Sequence, residues 1–110
     1  MPPQEYQFPI SDNVYGTAYF FTERGIVTEF VVKLLFKSGG KTYEVVRYDS
    51  AHEGPHRDTL LPNGTKYRVN KYTYLNNNQG LTFALDDIQE HWAHYIERFN
   101  RWLKENEKIT

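Results

Sequence analysis

An α+β fold is what this sequence predicts: an antiparallel meander sheet of about four strands packed on one long C-terminal amphipathic helix. Three observations carry that expectation. The stretch IVTEFVVKLLFK, residues 26–37, alternates apolar and polar positions; the glycine-bearing turns ERG, SGGK and PNG separate strand-like runs; and from Leu81 onward the apolar period lengthens to 3.6. At 110 residues the chain reads as a single α+β domain, 1–110, with 1–12 an irregular N-terminal segment. No repeat, linker or low-complexity run divides it.

The first strand is VYGTAYFFT, from Val14 to Thr22, rich in the β-branched and aromatic residues that a pleated surface favours. The turn at 23–25 leads into the second. There Ile26, Thr28, Phe30, Val32, Leu34 and Phe36 share one face while Glu29, Lys33 and Lys37 mark the other, the pattern of a half-buried antiparallel strand. SGGK reverses the chain into a third strand, TYEVVRYD, at about 42–49. A loop follows, and after PNG at 62–64 a fourth strand, TKYRVNKYTY, covers about 65–74.

The helical stripe comprises Leu81, Leu85, Ile88, Trp92, Ile96, Phe99 and Leu103, flanked by Tyr95 and Trp102. On its polar side Asp86, Asp87, Glu90 and Glu97 come first and Arg98, Arg101 and Lys104 last, the order that the helix dipole favours. Two starts compete: a cap within NNNQ, 76–79, or a capping box at DDIQ, 86–89, which would make LTFAL a short strand. Continuation of the stripe back to Leu81 favours the earlier one.

Composition narrows the function classes. Hydrophobic residues at 39% and charged residues at 25% suit a soluble globular chain, and the absence of cysteine excludes disulfides, thiolate metal sites and a cysteine nucleophile. The start, MPPQEYQFPI, lacks the basic and apolar regions of a secretion signal, and no run approaches the roughly 20 apolar residues that span a bilayer. A cytoplasmic protein without membrane association is the expectation. The net charge of -1 conceals segregation, because residues 33–75 hold eight Lys/Arg against four Asp/Glu while the remainder is acidic. A basic, tyrosine-bearing middle suits a surface that meets phosphates; a solvated sheet face is the plainer account.

HEGPH, residues 52–56, matches the H-E-x-x-H pattern of zinc metalloproteases. That pattern works on a helix, where histidines at i and i+4 reach one metal, and Gly54 and Pro55 deny this segment a helix. His52, His56 and Asp58, with Asp49, could still converge from a loop as nitrogen and oxygen ligands for zinc, manganese or nickel. Nothing in the spacing sets their geometry, so no metal and no cofactor are expected.

The same segment is dense in other chemistry. Two histidines, two arginines and two aspartates lie within Arg47–Asp58, where a plain β connection needs only turn residues. Such a set could run a metal-independent ribonuclease: His52 or His56 takes the proton from an RNA 2′-OH, the other protonates the leaving 5′ oxygen, Arg47 and Arg57 handle phosphate charge, and Asp49 orients an imidazole. Asp58 completes the candidate catalytic set. Tyr48, Tyr67, Tyr72 and Tyr74 could stack unpaired bases while Lys66, Arg68 and Lys71 track the backbone. Plainer roles exist for each: cross-strand packing for the tyrosines, local turn hydrogen bonds for Asp49 and Asp58, loop anchoring for the histidines. His91 and His94 read as solvated.

The segment VVRYDSAHEGPHRDTL, followed by a glycine turn, a basic strand and the helix LTFALDDIQEHWAHYIERF, resembles a group of small prokaryotic proteins that share R-Y-D-x-A-H with a second histidine a few residues later. That group is similar to the TumE toxins of type II toxin-antitoxin systems. The resemblance follows element order over about 26–102 and is specific across 47–58. It implies a ribonuclease-like toxin with a cognate antitoxin, and points to Arg47, Asp49, His52, His56, Arg57 and Asp58. A non-catalytic module binding RNA, a nucleotide or a protein is the alternative. A third is a homodimer through the sheet face bearing Tyr15, Tyr19, Phe21, Val31 and Leu35, unless the N-terminal segment folds back to cover it.

Overall fold

The structure, a computed structural model, describes residues 3–109, with side chains described through Glu105. Six strands precede one helix: β1 (Gln4–Ser11), β2 (Val14–Glu23), β3 (Ile26–Ser38), β4 (Lys41–Asp49), β5 (His56–Leu60), β6 (Lys66–Lys71) and α1 (Asn77–Ile109). They form one antiparallel sheet in the order β1-β2-β3-β4-β5-β6, so the fold is α+β and a meander, with six strands where four were expected. One extra strand is β1, formed by residues expected to be irregular. It carries Pro9, which a sheet tolerates at an edge, and Phe8 lies over Gly16 of β2, where no side chain competes for the space. β1 therefore widens the sheet and does not fold back over it. The other extra strand is β5, inside the segment read as a loop.

α1 packs on β3 and β4 and buries one face of the sheet. Phe30, Val32, Leu34, Val46 and Tyr48 meet Ala84, Ile88, Tyr95 and Phe99 in a single core. The buried line on α1 is thus rotated from the expected stripe toward Tyr95, and it includes Asp87, which the sequence placed on the polar side. Tyr15, Tyr19, Phe21, Val31 and Leu35 lie half-buried on the opposite face, which α1 leaves uncovered.

Two bulges set the strand faces. On β3, Phe21 pairs with Glu29 and Thr22 with Val27, so Thr28 is an extra residue and the alternation slips by one. Ile26, expected in the core, is 63% exposed, and Val27 is buried instead. The backbone groups freed there are met from the helix start: Asn78 Oδ1 accepts the Val27 N–H (2.9 Å) and Asn77 Nδ2 donates to the Thr28 carbonyl (3.1 Å). A second bulge gives β4 both Val45 and Val46 as buried residues.

The helix begins at the earlier of the two candidate starts. Asn76 Oδ1 accepts the Gln79 N–H (2.8 Å) and Gln79 Oε1 accepts the Asn76 N–H (3.0 Å), a reciprocal capping box, and LTFAL is helical throughout. One turn on, Gly80 sits against the loop 50–55. A Cβ there would lie 2.8 Å from both Cβ and Cγ of Pro55 and 3.1 Å from the Phe30 ring. The helix start therefore clamps the loop through Pro55, whose carbonyl also accepts the Tyr72 N–H (2.7 Å). Gly80→Ala is expected to lower stability by about 1 kcal/mol in urea unfolding, because overpacking outweighs the helix-propensity gain. An exposed helical glycine would show the opposite sign, and a stabilised variant would rule out the clamp.

Candidate functional site

The pairing of β4 with β5 builds the site. His56 lies opposite Asp49, Arg57 opposite Tyr48 and Asp58 opposite Arg47. Successive strand residues point to opposite faces, so this register divides the cluster in two. Tyr48 and Arg57 turn toward α1, whereas Arg47, Asp49, His56 and Asp58 share the uncovered face.

On the helix side lies a buried polar network around Asp87. Its Oδ2 accepts hydrogen bonds from the Tyr48 hydroxyl, the Tyr95 hydroxyl (2.7 Å) and Arg57 Nη1 (3.0 Å). Arg57 also donates to Tyr95 Oη (2.8 Å) and to Asn70 Oδ1 on β6 (3.2 Å). Burial, and then the hydrogen bonds to Asp87, push the Tyr48 and Tyr95 phenols well above their ordinary range. For Arg57 burial works against the charge, but Tyr95, Tyr72 and Asp87 outweigh it and the guanidinium stays firmly charged. Arg57, expected to stabilise a phosphorane, is thus committed to the core side. Tyr48, at 1% exposure, has no face open to a base. Tyr72 packs on Phe83 of α1 with ring centroids 4.6 Å apart, and Tyr67 meets Trp102 at 4.8 Å while staying 49% exposed. Arg68 stands over the Tyr67 ring. Tyr74 remains 79% exposed.

On the uncovered face the charges form a chain. Arg47 Nε donates to Asp49 Oδ2 (3.1 Å), and Asp49 Oδ1 accepts the Ala51 N–H (2.9 Å), the local turn bond open to an aspartate. His56 Nε2 stands 3.3 Å from Asp49 Oδ1 and 3.7 Å from Asp58 Oδ2, and Lys66 Nζ lies 3.5 Å from the latter. His56 Nδ1 is 3.1 Å from the Gly54 carbonyl. A carbonyl only accepts, so Nδ1 carries the proton and donates it. Asp58 lies within a strand, not a turn, and is 3% exposed.

His52 and His56 both line a pocket of about 280 Å³, together with Glu53, Gly54, Lys66, Val69, Lys71 and Thr73. His52 is exposed and holds a left-handed φ of 65°, a conformation a non-glycine residue keeps only when its surroundings impose it. Lys71 Nζ donates to Glu53 Oε2 (3.1 Å) across the pocket's rim. Arg47 is not part of this lining; it lines two other pockets, of about 240 Å³ and about 250 Å³, the second shared with Asp49. Of the six residues expected to act together, two histidines share the pocket, Asp49 and Asp58 stand behind His56, Arg47 joins them through Asp49 outside the pocket, and Arg57 lies on the helix side. Asp87, Asn70, Val69 and Thr73 were not foreseen. Asp87 had a signal, since it stands one turn beyond Ala84 and two before Tyr95 on the side that becomes buried.

Comparison with known proteins adds family membership. The family model described as "Domain of unknown function (DUF7718)" matches residues 1–105, and the chain belongs to that family. No curated protein and no solved structure matches it. No described helix is long and apolar enough to cross a membrane.

Two outcomes follow from the buried network. Asp87→Ala leaves the Arg57 charge facing neutral partners and is expected to cost about 2–4 kcal/mol in chemical unfolding; a loss near zero would show the network to be incidental. Because both phenols stay protonated in the folded chain, unfolding becomes easier as pH rises above about 10, where the same groups ionise in the unfolded chain. Unfolding midpoints measured across alkaline pH should fall for wild type, and less steeply for Tyr48→Phe.

Proposed function

We propose that this chain binds RNA through a phosphate group in the pocket between β5, β6 and the loop 50–55, and acts there as a toxin-like ribonuclease of the cytoplasm. The observation that carries this reading is that His52 and His56 line one pocket with Lys66 and Lys71. Lysines lining a pocket offset phosphate charge without reading sequence. His52, on the exposed loop, takes the proton from a 2′-OH. The 2′ oxygen attacks phosphorus, the bond to the 5′ oxygen breaks, and that oxygen takes a proton from a solvent water whose hydroxide the protonated His52 then neutralises, leaving a 2′,3′-cyclic phosphate and a 5′-hydroxyl. Tyr74 offers a stacking face beside Thr73. Arg57, Tyr48 and Asp87 act only as positioning residues that hold β5 in place.

A second reading, RNA binding without cleavage, is favoured by the engagement of both His56 nitrogens, which leaves His52 without a partner for the second proton transfer. A cognate antitoxin follows from the resemblance to TumE-type toxins, and the uncovered face bearing Tyr15, Tyr19 and Leu35 is where a second copy would join to make a homodimer.

Fluorescence anisotropy with a labelled single-stranded RNA tests the pocket. Lys66→Ala/Lys71→Ala is expected to weaken binding about tenfold or more at low salt and to flatten the log–log salt dependence by about 0.7 per lost contact. Affinity equal to wild type would remove the pocket from the account. In a cleavage assay His52→Ala should bind RNA and fail to cut it; binding with no cutting by wild type would favour the second reading.

A further inference from the structure

The uncovered face holds a polar cluster that shares only His56 with the phosphate pocket. Asp49, His56 and Asp58 each offer one ligand atom, and these atoms lie within 4.8 Å of one another. Asp49 and Asp58 are 5% and 3% exposed. We infer that the three form a binding site for a divalent first-row metal cation, bordering the pocket through His56.

Three features of the cluster support a cation. With its Nδ1–H given to the Gly54 carbonyl, His56 has only Nε2 to present to two carboxylates. That nitrogen and one oxygen of each carboxylate therefore lie together, as the donor atoms around a bound cation do. A ring nitrogen donating to a backbone carbonyl is also the usual support behind a metal-ligating histidine, because it sets ring orientation and raises the basicity of the other nitrogen. Second, Asp58 Oδ1 is buried and accepts no hydrogen bond among the described residues. A carboxylate oxygen in that state is unfavourable unless a positive charge reaches it. Third, the nearest protein cation meets only part of this demand: Lys66, with a side chain 57% exposed, stands 3.5 Å from the other oxygen, Oδ2.

One imidazole and two carboxylates are a nitrogen and oxygen donor set suited to Mn2+, Fe2+ or Zn2+, and three protein ligands leave coordination positions open. Where the pocket holds an RNA phosphate, as proposed above, an open position would take a phosphate oxygen, supplying charge that the arginines do not. The cation site itself stands on the cluster geometry and does not require RNA.

Mn2+ titration of the RNA-free protein, followed by calorimetry, tests it. One Mn2+ per chain is expected to bind saturably, with affinity at least tenfold weaker in Asp58→Asn and in His56→Ala, and unchanged in His91→Ala, which removes the other histidine standing near carboxylates. No saturable binding by wild type, or wild-type affinity in Asp58→Asn, would overturn the site. Should either site variant fail to fold, paramagnetic broadening of wild-type backbone signals by Mn2+ decides: broadening centred on 49, 56 and 58 supports the site, and broadening centred on His91 or nowhere overturns it. Loss of RNA binding in the lysine variant with Mn2+ binding intact would leave the cation site standing, and the reverse would leave the phosphate pocket standing.

Discussion

Everything distinctive about this molecule depends on the antiparallel register of β4 with β5. Placing His56 opposite Asp49 and Arg57 opposite Tyr48 means that neighbours in sequence part company in space. A slip of one residue would send Arg57 to the uncovered face and drive His56 into the core. The register is held from the helix side, where Arg57 is bound by Asp87 and Tyr95 of α1 and by Asn70 of β6, so two elements grip one side chain of β5. An arginine whose planar donors meet three fixed acceptors is a precise register pin, because shifting the strand would strand its charge.

The two halves of the cluster are therefore mechanically linked although chemically different. The Asp87 network is turned inward: its phenols are driven to stay neutral, its guanidinium stays charged, and its partners are internal, with Arg57 Nε buried and without a hydrogen-bond partner among the described residues. The uncovered half is open, with a buried carboxylate oxygen lacking a partner, a histidine held at both nitrogens and two lysines at the rim of a pocket. Pro55 ties the connecting loop to Gly80 at the start of α1, so the helix that fills the core also supports the loop that carries His52.

Legibility from sequence follows the same division. β2, β3, β4 and the helix could be read because each buries one face, and burial writes a period into the hydrophobic pattern, whereas the largely exposed β6 was marked by the PNG turn before it and by its β-favouring residues. β5 could not, because HRDTL is flanked by polar groups on both sides: Arg57 goes to a polar network and His56 and Asp58 to a charged one, leaving no apolar alternation to detect. β1 was hidden by Pro9 and by an edge position that demands little burial. The bulge at Thr28 inverted the face of Ile26, since a single inserted residue changes parity without changing composition. Among the candidate site residues, sequence proximity could not show that Arg57 turns to the helix side while its neighbours His56 and Asp58 take the other, because a list of residues in a segment carries no information about which face each one takes. Asp87 was misplaced because an aspartate on an amphipathic helix normally faces water, and its partners, Tyr48 and Arg57, lie 39 and 30 residues away in the chain.

The central claim is that His56 is gripped on the uncovered face with Nδ1–H on the Gly54 carbonyl and Nε2 directed at Asp49 and Asp58. Long-range proton–nitrogen correlation spectra of 15N-labelled protein report the protonation state of each imidazole nitrogen directly. The account predicts a protonated Nδ1 at His56 both with and without Zn2+, and an Nε2 resonance that shifts when Zn2+ is added. A neutral ring at His56 protonated at Nε2 alone, unaffected by Zn2+, would contradict both the hydrogen-bond geometry and the site built on it.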